Sequence, residues 1–133
     1  MKKKDQSSVS IRELMDLMEH MRSEAGCPWD REQDFATIRN TFEDEFREAA
    51  WALDNEDFEN LKEELGDVFW NIIFLSQLAK EKGYFDLEDV VTDMKKKITR
   101  RHPHVFAGKK LNSVEEVRTE YLKIKKSEKN KIR

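Results

Sequence analysis

Apolar residues recur along this chain in blocks at helical spacing, with no internal repeat and no strand-like alternation of useful length. Over residues 9–22, Ile11, Leu14, Met15, Leu17, Met18 and Met21 form a broad stripe that predicts a first helix packed on a core. Ser10 stands as its N-cap, with Glu13 in the capping-box position three residues on. Residues 23–35 break the period. Gly26-Cys27-Pro28-Trp29-Asp30 has the turn chemistry of an ordered loop. Trp29 either plugs the edge of the core, the reading its spacing favours, or stacks on a flat ligand.

Residues 36–54 read as the second helix, starting near Asp34 or Thr37. Ile38, Phe42, Phe46, Ala49 and Leu53 make its apolar face, and Trp51 lies nearly opposite, where it suits a subunit contact or a ligand wall. A short connection at 54–57 predicts an antiparallel neighbour, the third helix, over about 58–82. From Val68 to Leu75 that helix is apolar almost all round, Asn71 excepted, and such a helix must be covered on every side. In so short a chain a second copy is the expected cover, hence a dimer. Gly83 suits the helix end. Asp86 caps a fourth helix to about Arg101, which His102-Pro103 ends because a proline disfavours helical geometry in the residue before it. Phe106-Ala107-Gly108 reads as a loop, and a last, surface helix runs over 113 to about 127, with Ser113 as N-cap and Glu116 in the capping-box position.

Composition adds limits. At 133 residues a single domain over 1–133 is expected, with basic, frayed ends at 1–8 and 127–133. Charged residues are 40% of the chain and apolar ones 38%, with four Gly and two Pro, the balance of an all-α bundle of about five helices with charged outer faces. Lys2-Lys3-Lys4 and the run from Lys123 to Arg133 are solvated ends on this reading, so nucleic acid is not the expected partner. The lone Cys27 excludes an intramolecular disulfide and reads as a structural thiol. The absence of a membrane-length apolar run or a signal-peptide pattern makes a soluble, cytoplasmic protein the expectation.

Candidate chemistry lies on the second and third helices. Glu45 and Glu48 are spaced i, i+3, as are Glu64 and Asp67, so each pair shares a face and two packed helices could aim four carboxylates at one spot. Gathered carboxylates repel unless they bind cations, and hard divalent cations take oxygen ligands. With 28 acids in the chain, such pairs also arise on solvated faces, ion-paired with Lys or Arg. Two details favour the metal reading: the acids border apolar faces, and Gly66 within the second pair leaves room for another helix. Asn71 shares a stripe with Glu64 and Asp67, as an outer support, a substrate contact or a buried, satisfied amide. Lys97, Arg100 and Arg101 end the fourth helix, where cations complement the dipole and could grip phosphate. His102 and His104, beside Pro103, read as structural.

Four segments in this order carry a resemblance: Gly26-Cys27-Pro28-Trp29-Asp30 with Gln33, Asp44-Glu45-x-x-Glu48, Glu64-Leu65-Gly66-Asp67, and Arg100-Arg101-His102-Pro103-His104-Val105-Phe106. Together they resemble the MazG family of nucleoside triphosphate pyrophosphohydrolases, from about Ile11 to about Lys126, and in particular the first of the two MazG domains of duplicated members. The resemblance implies the MazG-like all-α fold assembled as an oligomer. It implies hydrolysis of a nucleoside triphosphate to the monophosphate and pyrophosphate by metal-activated water, with Mg²⁺ as cofactor and Mn²⁺ as a substitute. Carried over, Glu45, Glu48, Glu64 and Asp67 become metal ligands and catalytic residues, Lys97, Arg100 and Arg101 phosphate contacts, and Trp29 a contact near the base. Asp44 departs from the family's pattern, where a glutamate stands, and Arg47 inside the motif is placed to pair with an acid. Two alternatives stay open: a narrower specificity (dUTP, dCTP or phosphoribosyl-ATP), and a non-catalytic or weakly active helical oligomerisation module, for which Glu45→Gln and Glu64→Gln would change nothing.

Overall fold

The structure, a computed structural model, describes residues 9–132, with side chains described as far as residue 130. The triple lysine at 2–4, the expected frayed start at 1–8 and Arg133 lie outside the described residues. Among the described residues the regular elements are seven helices: α1 (Ile11–Met21), α2 (Pro28–Glu32), α3 (Phe35–Asp54), α4 (Phe58–Glu81), α5 (Leu87–Arg101), α6 (Pro103–Phe106) and α7 (Val114–Ile132). The five expected helices are all present. The two additions, α2 and α6, are single turns inside expected loops, and each starts on a proline whose fixed φ suits the first helical position. The chain divides into two compact units, Met1–Leu87 and Glu88–Arg133.

In the first unit, each helix begins where its sequence supplies a cap. Ser10 Oγ accepts from the Glu13 N–H at 3.2 Å, and the Glu13 carboxylate accepts from the Ser10 N–H at 3.1 Å. Asp34 and Thr37 form the same reciprocal box at the start of α3, and Asp57 caps α4. Both long helices close on a Schellman turn, in which the chain must pass through a left-handed residue. After α4 that residue is Gly83 (φ 75°), with the Tyr84 N–H bonded to the Ala79 carbonyl. After α3 it is Glu56 (φ 51°), a side chain rarely found there, held by the bond from the Asp57 N–H to the Ala52 carbonyl.

The main packing is α3 against α4, with α1 laid on α4. Met18, Ile38, Ile73, Phe74, Leu78 and Leu87 form the buried core, with Leu14, Met15, Phe69, Trp70, Ile72 and Leu75 packed around it. Full burial of a side chain such as Met18 contributes about 1.5–3 kcal/mol. The expected apolar face of α3 is only partly the buried one. Ile38 and Ala49 are buried, but Phe46 and Leu53 are exposed, and Ala52 is buried in their place. The reason is geometric: α4 approaches along the row of Ile38, Ala49 and Ala52, where small residues permit close contact, and the larger side chains are left on the flank.

Trp29 does not plug the core edge; it is 63% exposed. The short helix α2 turns Asp30 inward instead, and Arg22 fills the space beneath it. The Arg22 guanidinium donates to the backbone carbonyls of Asp30 and Gln33, pairs with Glu81 at 2.7 and 2.8 Å, and lies over the Phe74 ring at 5.6 Å. Gly26 fits closely against the end of α1: a Cβ there would stand 2.2 Å from the His20 carbonyl oxygen. Arg22 and Gly26 thus secure the loop that a plugging tryptophan would otherwise have secured.

The second unit is held by long polar side chains. Arg101, only 9% exposed, reaches Glu128 and Tyr121 on α7, and Lys109 pairs with Glu120 at 2.8 Å. The side chains of Val117, Tyr121, Ile124 and Glu128 form the half-buried face of α7, the other side chains of which are mostly exposed. Helix α7 continues to Ile132, through the stretch at 127–132 that the sequence predicted as frayed, because Glu128 anchors it past residue 127.

Candidate active site

Glu45 lies on the same row of α3 as Ile38, Ala49 and Ala52, the row that packs toward α4, and Glu64 projects from α4 to meet it. Glu48 follows Glu45 by one turn. The structure brings one carboxylate oxygen from each of Glu45, Glu48 and Glu64 to within 4.8 Å of the other two. Glu64 is buried, Glu45 half-buried and Glu48 exposed, so the cluster runs from the helix seam out to solvent. Oε2 of Glu45 and Oε2 of Glu64 are buried and without a hydrogen-bond partner. A buried carboxylate oxygen left in this state is costly, and native structures rarely tolerate it without a counter-group.

The electrostatics follow from that geometry. The Glu45 carboxyl is pushed up to about 7, first by burial, then by a hydrogen bond shared with Glu48 while one of the two holds a proton, then by the charge of Asp67. The Glu64 carboxyl is raised as well, again first by burial, then by Glu48. Asp67 therefore belongs to the same electrostatic neighbourhood, although the three mutually close ligand atoms come from the glutamates. Hard oxygen donors, close together, partly buried and short of partners, fit a divalent cation. Asp44 is exposed, one turn before Glu48 on α3, and is not among the three mutually close ligands. Arg47 does not pair within the cluster; it meets Glu43 at 2.8 Å on the solvated face. Gly66 faces open space, and a Cβ there would touch nothing, so the room expected for a neighbouring helix is not used within this chain.

Asn71 is 4% exposed and donates its side-chain N–H to the Asp67 carbonyl at 2.8 Å, satisfied by its own helix rather than by a neighbouring one. In the second unit, Lys97 is half-buried, and Arg100 and Arg101 both hold the Glu128 carboxylate. His102 bonds the Ile98 carbonyl through Nδ1 at 2.7 Å, a structural role at the end of α5. Glu128 and Tyr121 escaped the sequence reading. The available signal was that Glu128 is the only acid between Lys123 and Arg133 and shares a helical face with Tyr121 and Ile124.

The fold and the site define an all-α protein with a cluster of carboxylates carried on two packed helices. Residues 33–106 match the MazG nucleotide pyrophosphohydrolase domain, and the chain belongs to that family. It is 41% identical over 119 residues to the nucleoside triphosphate pyrophosphohydrolase of Escherichia coli K12, covering 89% of this chain and 45% of that protein. It is 40% identical over 101 residues to the nucleoside triphosphate pyrophosphohydrolase/pyrophosphatase MazG of Thermotoga maritima, covering 76% of this chain and 40% of that protein. The chain thus spans less than half the length of these two curated relatives. The crystal structure of a mazG-related protein from Thermotoga maritima superposes with a TM-score of 0.72 at 30% identity, covering 87% of this chain and 99% of that one. The family match begins after the Gly26–Asp30 segment and includes both acidic pairs and the Arg100–Phe106 segment. Among the described residues, no helix is long and apolar enough to cross a membrane.

Proposed function

We propose that this protein hydrolyses nucleoside triphosphates to the nucleoside monophosphate and pyrophosphate with the help of a divalent cation. The observation that carries the reading is the pair of buried, partnerless oxygens on Glu45 and Glu64 inside a three-carboxylate cluster, in a chain of the MazG family. Glu45, Glu48, Glu64 and Asp67 would hold the cation, Mg²⁺ or Mn²⁺ in its place. Such a cation neutralises phosphate charge, polarises the phosphoryl oxygen and lowers the pKa of water enough for attack near neutral pH. The chain's own residues supply the rest. Rigid packing of α3 on α4 holds the carboxylates in position before a nucleotide arrives, so no ordering cost falls on the reaction itself. Asn71 supports the Asp67 backbone one turn along α4, the outer-support role among those open to it. Lys97, Arg100 and Arg101 are the proposed phosphate contacts, guanidinium groups being suited to bidentate grip of phosphate oxygens. Trp29 is exposed and free to stack on a base.

The test is pyrophosphate release from canonical and damaged nucleoside and deoxynucleoside triphosphates, with dUTP, dCTP and phosphoribosyl-ATP in the same panel, with and without Mg²⁺. Cation-dependent release from a subset is expected. No release from any of them by a folded sample overturns the reading.

A homodimer is the proposed assembly. Phe46 and Leu53, which share one face of α3, are each more than half exposed, and a second copy would cover them. Sedimentation equilibrium at micromolar concentration should give twice the chain mass; a monomer there removes this part of the proposal.

A further inference from the structure

Arg100 and Arg101 are adjacent at the end of α5, and both turn their guanidinium groups onto one carboxylate, that of Glu128 in α7. Arg101 donates from Nε and Nη2 to Glu128 Oε1 at 3.0 and 2.6 Å, and Arg100 donates from Nε to Oε2. The third Arg101 nitrogen, Nη1, donates to the Tyr121 hydroxyl at 3.1 Å. The Glu128 carboxylate is therefore enclosed by two guanidiniums with an oxygen on each. That is also the geometry in which a pair of arginines receives two oxygens of a phosphate. The side chains of Arg101 and Glu128 are 11% and 14% exposed, whereas that of Arg100 is 50% exposed and opens the fork to solvent. The two guanidiniums also hold the Glu128 carboxyl down at about 2, so it stays ionised throughout the neutral range and does not leave by taking up a proton.

We infer that Glu128 is a tethered anion seated in the Arg100–Arg101 fork, which a polyphosphate must displace before it can use those two arginines. The inference rests on the proposed role of Arg100 and Arg101 as phosphate contacts and adds an occupant to that site. Helix α7 is suited to such an exchange. It meets the fork through a face of half-buried side chains, and its outer face carries Lys123, Lys125, Lys126 and Lys129, all exposed. Glu128 is the only acid between residues 123 and 133, so the incoming anion meets a helix end that is basic overall. The contact makes affinity for the phosphate chain an exchange of one anion for another, weaker than an empty fork would give.

The experiment uses the full chain with tripolyphosphate as the probe, titrated by calorimetry against the wild type, E128Q and R100A. E128Q should bind tripolyphosphate about tenfold more tightly than the wild type, the equivalent of one charge-assisted hydrogen bond no longer competed for. R100A should bind it more weakly. E128Q should also lower the KM for a nucleoside triphosphate while leaving kcat within about twofold, a split that mere loosening of α7 would not produce. If E128Q does not fold, hydrogen exchange on the wild type decides: saturating tripolyphosphate should speed exchange of the α7 amides around Glu128. Unchanged affinity in folded E128Q, or unchanged α7 exchange at saturation, overturns the tethered-anion inference while R100A still reports on the fork. If wild type and R100A bind tripolyphosphate equally, the phosphate role of the arginines fails, and this inference with it.

Discussion

Two groups of carboxylates in this chain meet opposite fates. On α3 and α4, Glu45, Glu48 and Glu64 converge, the buried oxygens of Glu45 and Glu64 have no hydrogen-bond partner among the described residues, and the Glu45 carboxyl rises to about 7. On α7, Glu128 is taken up by two guanidiniums and its carboxyl falls to about 2. The residue type is the same, and Glu45, Glu64 and Glu128 are all removed from full solvent contact. What differs is whether the chain supplies the positive charge. Glu128 is complete within the fold and fastens α7 to α5. The α3–α4 cluster is incomplete within the fold, and burying like charges together stores a repulsion that an added cation would relieve. An unsatisfied charge cluster in a folded protein therefore points outward, to a ligand, whereas a satisfied one points inward, to stability.

The contrast can be broken most severely by Glu64→Gln. This change should lower kcat/KM for nucleotide hydrolysis by on the order of 10³-fold, because a ligand of the proposed cation is lost, and at the same time raise the melting temperature of the metal-free protein by removing one charge from the cluster. Pyrophosphate release and calorimetry in a chelator read the two effects. A variant that keeps its activity, or that melts lower without metal, contradicts the picture of a frustrated site. Next in size is the cation itself. Mg²⁺ at a hundredfold excess over its dissociation constant should stabilise the protein by about 2.7 kcal/mol, seen as a melting transition that rises with Mg²⁺ and returns with chelator. In Glu45→Gln this rise should shrink.

The pH dependence should sharpen the comparison, because the two groups differ in sign. A carboxyl whose folded pKa is raised binds protons more readily folded than unfolded, so its stabilising share is complete below its ordinary value of 4.5 and is lost as pH rises through the folded value. For Glu45 that window runs from about 4.5 to about 7. For Glu128, lowered to about 2, stabilisation is present above 4.5 and is lost as pH falls through about 2. The metal-free wild type should thus lose melting temperature between pH 4.5 and 7 relative to Glu45→Gln. A difference curve that is flat over that window would show that Glu45 is not held as described. The smallest effect belongs to a third kind of carboxylate. Glu43 sits on the solvated face of α3 between Arg39 and Arg47, each at 2.8 Å. Arg47→Ala should change stability by less than about 0.5 kcal/mol in urea unfolding, which would separate an exposed ion pair from both the cluster and the clamp.

The helices of this chain are written in local chemistry. Ser10 with Glu13, Asp34 with Thr37, Gly83 after α4 and Pro103 after α5 each act within a turn of their own position, so the starts of the helices and most of their ends were legible from the residues alone. The i, i+3 spacing of Glu45 with Glu48 and of Glu64 with Asp67 was legible for the same reason. Partners were not, because a partner is fixed by which helix faces approach. Phe46 and Leu53 carry the same apolar signal as Ile38 and Ala49, and only the line along which α4 packs left the first pair exposed. Trp29 lost its expected place at the core edge, and Asp30 turned inward, because Arg22, at the end of α1, reached the Asp30 and Gln33 carbonyls. Arg100 and Arg101 read as free cations until α7 brought Glu128 to them from 27 residues away. Periodicity and caps are properties of a few consecutive residues, and the sequence determines them. Contact between distant residues depends on how helices cross, and that only the tertiary structure decided: it left the oxygens of Glu45 and Glu64 without a partner and gave Glu128 two.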